Sequence, residues 1–106
     1  MTLDLIVHDE AREDLKDQYD FLEEHAPGNG DRFLEEVHHV FDRLVSFPGF
    51  GPPFPTPTWP NLRRALLPTF PLSVFYEPSV TAIDVYHVLH HAQDVLTILD
   101  RTEPSA

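Results

Sequence analysis

Residues 62–78, LRRALLPTFPLSVFYEP, and residues 81–101, TAIDVYHVLHHAQDVLTILDR, decide how this chain folds. Leu62 to Leu67 and Leu72 to Glu77 are short runs rich in aliphatic, β-branched and aromatic residues, separated by Pro68-Thr69-Phe70-Pro71. Pro78-Ser79 then makes a tight turn into Thr81 to His90. Three consecutive strands are predicted. In the last of them one face carries Ile83, Val85, His87 and Leu89, and the other Asp84, Tyr86, Val88 and His90. Apolar residues on both faces place that strand in the centre of a sheet, or under cover on both sides for part of its length. From Gln93 to Arg101, Val95, Leu96, Ile98 and Leu99 recur at mixed spacing, as in a short helix or extension laid on the sheet.

Upstream of this meander the pattern changes period. Leu3, Leu5 and Val7 alternate with Asp4 and Ile6, which reads as a short strand. Asp9 and Glu10 open a helix, because carboxylates suit the unsatisfied amides of a first turn. Ala11, Leu15, Tyr19 and Leu22 form its apolar stripe as far as His25, leaving Asp14 among the charged residues assigned to the solvent side. Pro27-Gly28-Asn29-Gly30 is a turn, with the glycines supplying positive φ. A second helix runs from near Asp31 to Ser46 on a stripe of Phe33, Val37, Val40, Phe41 and Leu44, with Leu34 at its margin. So short a connection makes an antiparallel helical hairpin.

Between the hairpin and the meander, Pro48 to Pro60 holds six prolines in thirteen residues, together with Phe50, Phe54 and Trp59. No helix or central strand tolerates that density. It is either a polyproline-type recognition segment or a packed loop, and its place between two structured elements favours the loop, with Trp59 as a lid or core-edge residue. The order is therefore β-α-α-β-β-β in one domain over residues 1–106. The fold class is α+β, with the helical hairpin on one face of a largely antiparallel four-stranded sheet and the other face expected free for a partner.

Composition narrows the function. The chain has 106 residues, 42% of them hydrophobic, enough for one core. It has no cysteine, which removes disulfides, thiolate nucleophiles and cysteine zinc sites. No apolar run approaches the roughly 20 residues of a membrane span, and MTLDLIVHDEA lacks the basic flank of an export signal, so a cytoplasmic protein is expected. The formal net charge is -11, and residues 1–47 hold thirteen acids against four bases. Such a field opposes phosphate backbones, and direct binding of free nucleic acid is not expected. There is no Gly-rich phosphate loop and no Gly-x-Ser-x-Gly elbow. Glu35 with His39, and His38 with Asp42, are spaced to share a helix face, but two ligands do not make a metal site. Neither metal nor cofactor is expected.

Several motifs in series resemble one family. They are EAREDLKDQYDFL with Ala11 and Leu15, then DRFLEEVHHVFDRLVSFP closing on Leu44 and Pro48. Arg63, Arg64, Phe70, Pro71, Phe75 and Tyr76 follow, and finally Val88, Leu89, His90, Asp94 and Arg101. This sequence of elements resembles the RelE/ParE toxin superfamily of type II toxin–antitoxin, or plasmid stabilisation, systems nearly end to end. The resemblance implies a toxin and a cognate antitoxin protein that folds partly as it wraps the domain. It implies one of two targets: DNA gyrase, poisoned by protein contact, or the ribosome, on which messenger RNA is cleaved. A third possibility is a non-toxic binding protein on the same scaffold.

For a nuclease the resemblance nominates Arg63 or Arg64, Tyr76 and His90. A guanidinium fork suits phosphate, a phenol can position a nucleotide, and an imidazole can move protons. Each has an ordinary reading as well: the arginines in ion pairs, Tyr76 as core volume, His90 hydrogen-bonded to backbone or to Asp94. Adjacent on one strand, Arg63 and Arg64 must face opposite ways. Where many relatives carry a basic residue after the histidine this chain has Gln93, whose neutral amide cannot balance charge on a pentavalent phosphate.

Overall fold

The computed structural model describes residues 3–103. Its elements are β1 (Asp4–Val7), α1 (Asp9–His25), α2 (Asn29–Ser46), β2 (Arg63–Leu66), β3 (Leu72–Pro78), β4 (Ala82–His90) and α3 (Val95–Arg101). The four strands lie in the order β1-β4-β3-β2, with β1 parallel to β4 and the other pairs antiparallel. This is the α+β arrangement the periodicities predict. The hairpin crosses from the edge strand β1 to the far edge β2, and the meander fills the sheet back towards β1.

The hairpin covers one face. Phe33, Val37, Val40, Phe41 and Leu44 of α2, with Ala11 of α1, meet Ala65, Val74, Tyr76, Ile83, Val85 and Val88 in a single core. Each large aliphatic or aromatic side chain so buried contributes about 1.5–3 kcal/mol. α2 starts at Asn29, ahead of the expected Asp31, because Gly28 takes the cap position at φ 95. Gly30 therefore has a different use from the turn role expected of it. A Cβ there would lie 2.7 Å from Glu23 Cγ and 2.8 Å from Tyr19 Cδ2, so its missing side chain lets the two helices close together.

A bulge breaks the expected alternation in β4. Phe75 is opposite His87 and Tyr76 is opposite Val85, so Tyr86 is the extra residue between the two pairs. The extra residue shifts the phase. Val88 thereby joins Ile83 and Val85 under the hairpin, and Leu89 joins Tyr86 on the far side. A strictly alternating strand would have paired them the other way.

The second face is not free. Trp59, Leu62, Phe75, Tyr86, Leu89 and Leu99 form a second core there, bordered by Phe54, Val95 and Ile98. The Pro-rich loop and α3 supply the cover. Trp59 is 1% exposed, and its indole Nε1 donates to Leu99 O at 2.8 Å, tying the loop to α3. Thr58 Oγ1 adds a bond to Asp100 at 2.9 Å. The cause of the departure lies in the strands themselves: Phe75, Tyr86 and Leu89 are too apolar to leave in water. Prolines suit the cover, since they lose little chain entropy on becoming ordered.

Candidate functional site

Arg63 and Tyr76 are direct register partners on β2 and β3, and they meet the same object. The Tyr76 hydroxyl donates to Pro48 O at 2.8 Å and accepts the Gly51 N–H at 2.8 Å. Arg63 Nη1 donates to Gly51 O at 2.7 Å and, more loosely, to Gly49 O at 3.5 Å. Both side chains therefore hold the chain from Pro48 to Gly51. Gly51 is pressed so close that a Cβ would lie 2.8 Å from Arg64 O and 2.9 Å from Tyr76 Cε1, which explains a glycine at this position. Burial pushes the Tyr76 phenol above its ordinary 10.0, with the Gly51 amide and Arg63 pulling part of the way back. Near neutral pH it is an uncharged hydroxyl already engaged on both sides.

Arg64 lies on the other face, as adjacency on a strand requires. It stacks over Phe54 with Cζ 5.0 Å from the ring centroid, and it is only partly exposed. His90 is opposite Leu72, and Tyr76 is four residues further along β3, a separation of roughly 13 Å at strand spacing. The His90 Nδ1 accepts the Ala92 N–H at 3.0 Å. Gln93 belongs to the same turn, with Oε1 accepting the His90 N–H at 2.7 Å. Arg63 with Tyr76, Arg64, and His90 thus occupy three separate places. Phe50, whose ring lies under Arg43 Cζ at 5.2 Å, stands on the pinned segment, and Phe47, 68% exposed, immediately precedes it. Both rings border an open cavity of about 590 Å³ at the end of α2.

This hairpin on a four-stranded sheet is a known arrangement, and a family model for the ParE toxin of the type II toxin–antitoxin system parDE matches residues 5–95. The chain belongs to the ParE toxin family. Among solved structures it is similar to a chain of the chromosomal ParDE toxin–antitoxin system from P. aeruginosa, with a TM-score of 0.71 at 18% identity. That match covers 83% of this chain and 95% of the other, and at such low identity it speaks for the fold. No curated protein sequence matches significantly. As a ParE-family chain it is a toxin component of such a system.

The ParE fold in this chain is also held by residues that helical periodicity assigns to solvent. Asp14 Oδ2 accepts the Val88 N–H at 2.9 Å, on the stretch of β4 beyond the end of its pairing with β1. The same oxygen is 2.7 Å from His87 Nδ1, and His87 Nε2 is 2.6 Å from Thr102 Oγ1. This chain of contacts joins α1, β4 and the end of α3. Glu36 acts likewise, accepting the Thr69 and Phe70 amides at 2.7 and 3.2 Å and so fixing the β2–β3 connection to α2. Only the long-range pairing reveals these roles, because a carboxylate on a helix looks the same in sequence whether it meets water or a strand. No helix among the described residues is long and apolar enough to cross a membrane.

Proposed function

We propose that this toxin acts by protein–protein contact, as an inhibitor of DNA gyrase, and is neutralised by a cognate antitoxin. One observation carries the reading: Arg63 and the Tyr76 hydroxyl, two of the groups a nuclease would need, are engaged in holding residues 48–51. A messenger-RNA nuclease would need phosphate-binding cations and a proton-transfer group converging within a few ångströms. Here His90 stands at the opposite end of β3, and the net charge of -11 opposes RNA. Contact with a protein needs neither. Phe50, displayed on the pinned segment, and Phe47, just before it, are the kind of aromatic anchor that dominates protein interfaces.

The antitoxin is expected to offer basic or apolar side chains. An apolar cavity of about 300 Å³ lined by Leu15, Lys16, Tyr19 and Leu34 opens between the helices, within the chain's most acidic half. A strongly acidic contact segment in the antitoxin would count against this.

The test is induction without antitoxin, comparing the wild type with Arg64→Ala and His90→Ala. Growth arrest with a DNA-damage response, intact transcripts and full retention in His90→Ala is the expected result. Translation arrest with transcript cleavage that disappears in His90→Ala would establish the ribosome-dependent nuclease instead, and unimpaired growth would establish a non-toxic binding protein.

A further inference from the structure

The two edges of the sheet are finished differently. Along β2, Arg64 N–H donates to Pro52 O at 3.1 Å and Phe54 N–H donates to Leu62 O at 2.8 Å, with Pro53 bridged to Arg63. That edge is closed by a segment whose two prolines have no N–H to template another strand. β1 has no such cover among the described residues. Asp4 N–H donates to Thr81 O at 3.0 Å and His8 N–H to Val85 O at 2.9 Å, so the even-numbered residues turn their backbone groups towards β4. Leu3, Leu5 and Val7 turn theirs outward. Among the described residues the outward side is met by the Arg12 side chain, whose Nε donates to Val7 O at 3.1 Å. The N–H and C=O of Leu5 and the N–H of Val7 face away from the sheet.

The edge is apolar as well as open. Leu5 is 37% exposed, Ile6 43%, and Val80, on the turn that leads into β4 beside the start of β1, is 83% exposed. Leu3 and Val7 pack on the core beneath the hairpin, so Leu5 by alternation extends that same side outward. Asp4 and Ile6 face the other way, and Asp4, Asp9 and Glu10 are all exposed. A second copy of the chain pairing through β1 would bring these carboxylates against their own likenesses. A strand with cations on its Asp4 side would answer them.

We propose that the outer edge of β1 is a strand-addition site for an extended partner segment in which apolar residues alternate with lysine or arginine. Backbone hydrogen bonds to Leu5 and Val7 supply the affinity, while alternation sets which side chains meet Leu5 and which meet Asp4. This goes beyond the toxin reading, since it concerns an edge no part of that reading uses, and its failure would leave the toxicity assay untouched.

The experiment follows backbone amides by NMR while an acetylated peptide of alternating lysine and valine is added. The amides of Leu5 and Val7 should exchange freely in the free protein and slow by about tenfold or more in the complex. A glutamate–valine peptide, or the lysine peptide N-methylated at alternate residues, should bind at least about tenfold more weakly. Leu5→Pro should remove binding while leaving the pairing with β4, because the Leu5 N–H does not face β4. Leu5→Lys, which keeps every backbone donor, should lose binding as well, by adding a like charge and removing the apolar contact. Equal binding of the N-methylated peptide, shifts confined to α1 and α2, or a dimer in sedimentation with Leu5 and Val7 already protected would each overturn the proposal.

Discussion

The two faces of this sheet are buried by different physical means. Beneath the hairpin, a helix of eighteen residues repeats Phe33, Val37, Val40, Phe41 and Leu44 at helical spacing, and side-chain packing provides most of the cohesion. On the opposite face a proline-rich loop and a seven-residue helix provide the cover, with one indole in the centre whose N–H is hydrogen-bonded to that helix. The first face stays closed because α1 and α2 are long amphipathic helices. The second stays closed because Trp59 and Thr58 hold Leu99 O and Asp100, while Tyr76 and Arg63, on the hairpin side of the sheet, fasten the start of the same loop at residues 48–51. That difference predicts where the molecule opens first, and two residues nominated for catalysis, Arg63 and Tyr76, fasten the point where the chain leaves the hairpin for the loop.

The largest effect is expected from Trp59→Ala. Removing a buried indole costs about 3–5 kcal/mol, and here it also frees Leu99 O. Denaturant unfolding should show the loss, and hydrogen exchange should show α3 opening while α2 stays protected. Equal loosening of both faces would erase the distinction between them.

Asp14→Ala should cost less, about 1–3 kcal/mol, since it strips a partner from a buried imidazole and from the Val88 amide. Its signature is loosening at the junction of α1, β4 and α3, read as faster exchange at Val88. A change confined to the exposed surface of α1 would return Asp14 to the solvent role periodicity gives it.

Tyr76→Phe is the mildest and most selective change, about 1–2 kcal/mol, because it removes two hydrogen bonds and keeps the ring. It also has a pH signature. The native state holds the phenolic proton more tightly than the unfolded chain, burial being the main cause. That contribution is whole below pH 10.0 and is lost as pH rises through the raised native value. Stability of the wild type should therefore fall more steeply in that alkaline range than stability of Tyr76→Phe. Identical alkaline slopes would show the phenol to be unimportant there.

Legibility in the sequence divides along the same line. The hairpin, the meander and the order of elements follow from periodicity, because a stripe at helical spacing or an alternating run reports a face through local neighbours. Trp59 is legible as a packed residue but not as the centre of a second core, since prolines around it carry no period. The phase shift at Tyr86 is invisible for a related reason: a bulge depends on the partner strand. Asp14 is read as solvent-facing, and Glu36 receives no role, because their partners, Val88 and Thr69, are 74 and 33 residues away. As for the candidate residues, the opposite facing of Arg63 and Arg64 follows from adjacency alone. That Arg63 and Tyr76 converge on one loop, and that His90 stands apart from both, follows only from register.

The Gly51 amide tests most directly whether Arg63 and Tyr76 hold the loop. In native-state hydrogen exchange it should be slow in the wild type and fast in Tyr76→Phe, while Val74 and Val88 keep their protection in both. A Gly51 amide that exchanges at the rate of an unconstrained loop in the wild type would contradict the account and return Tyr76 to the groups available for chemistry.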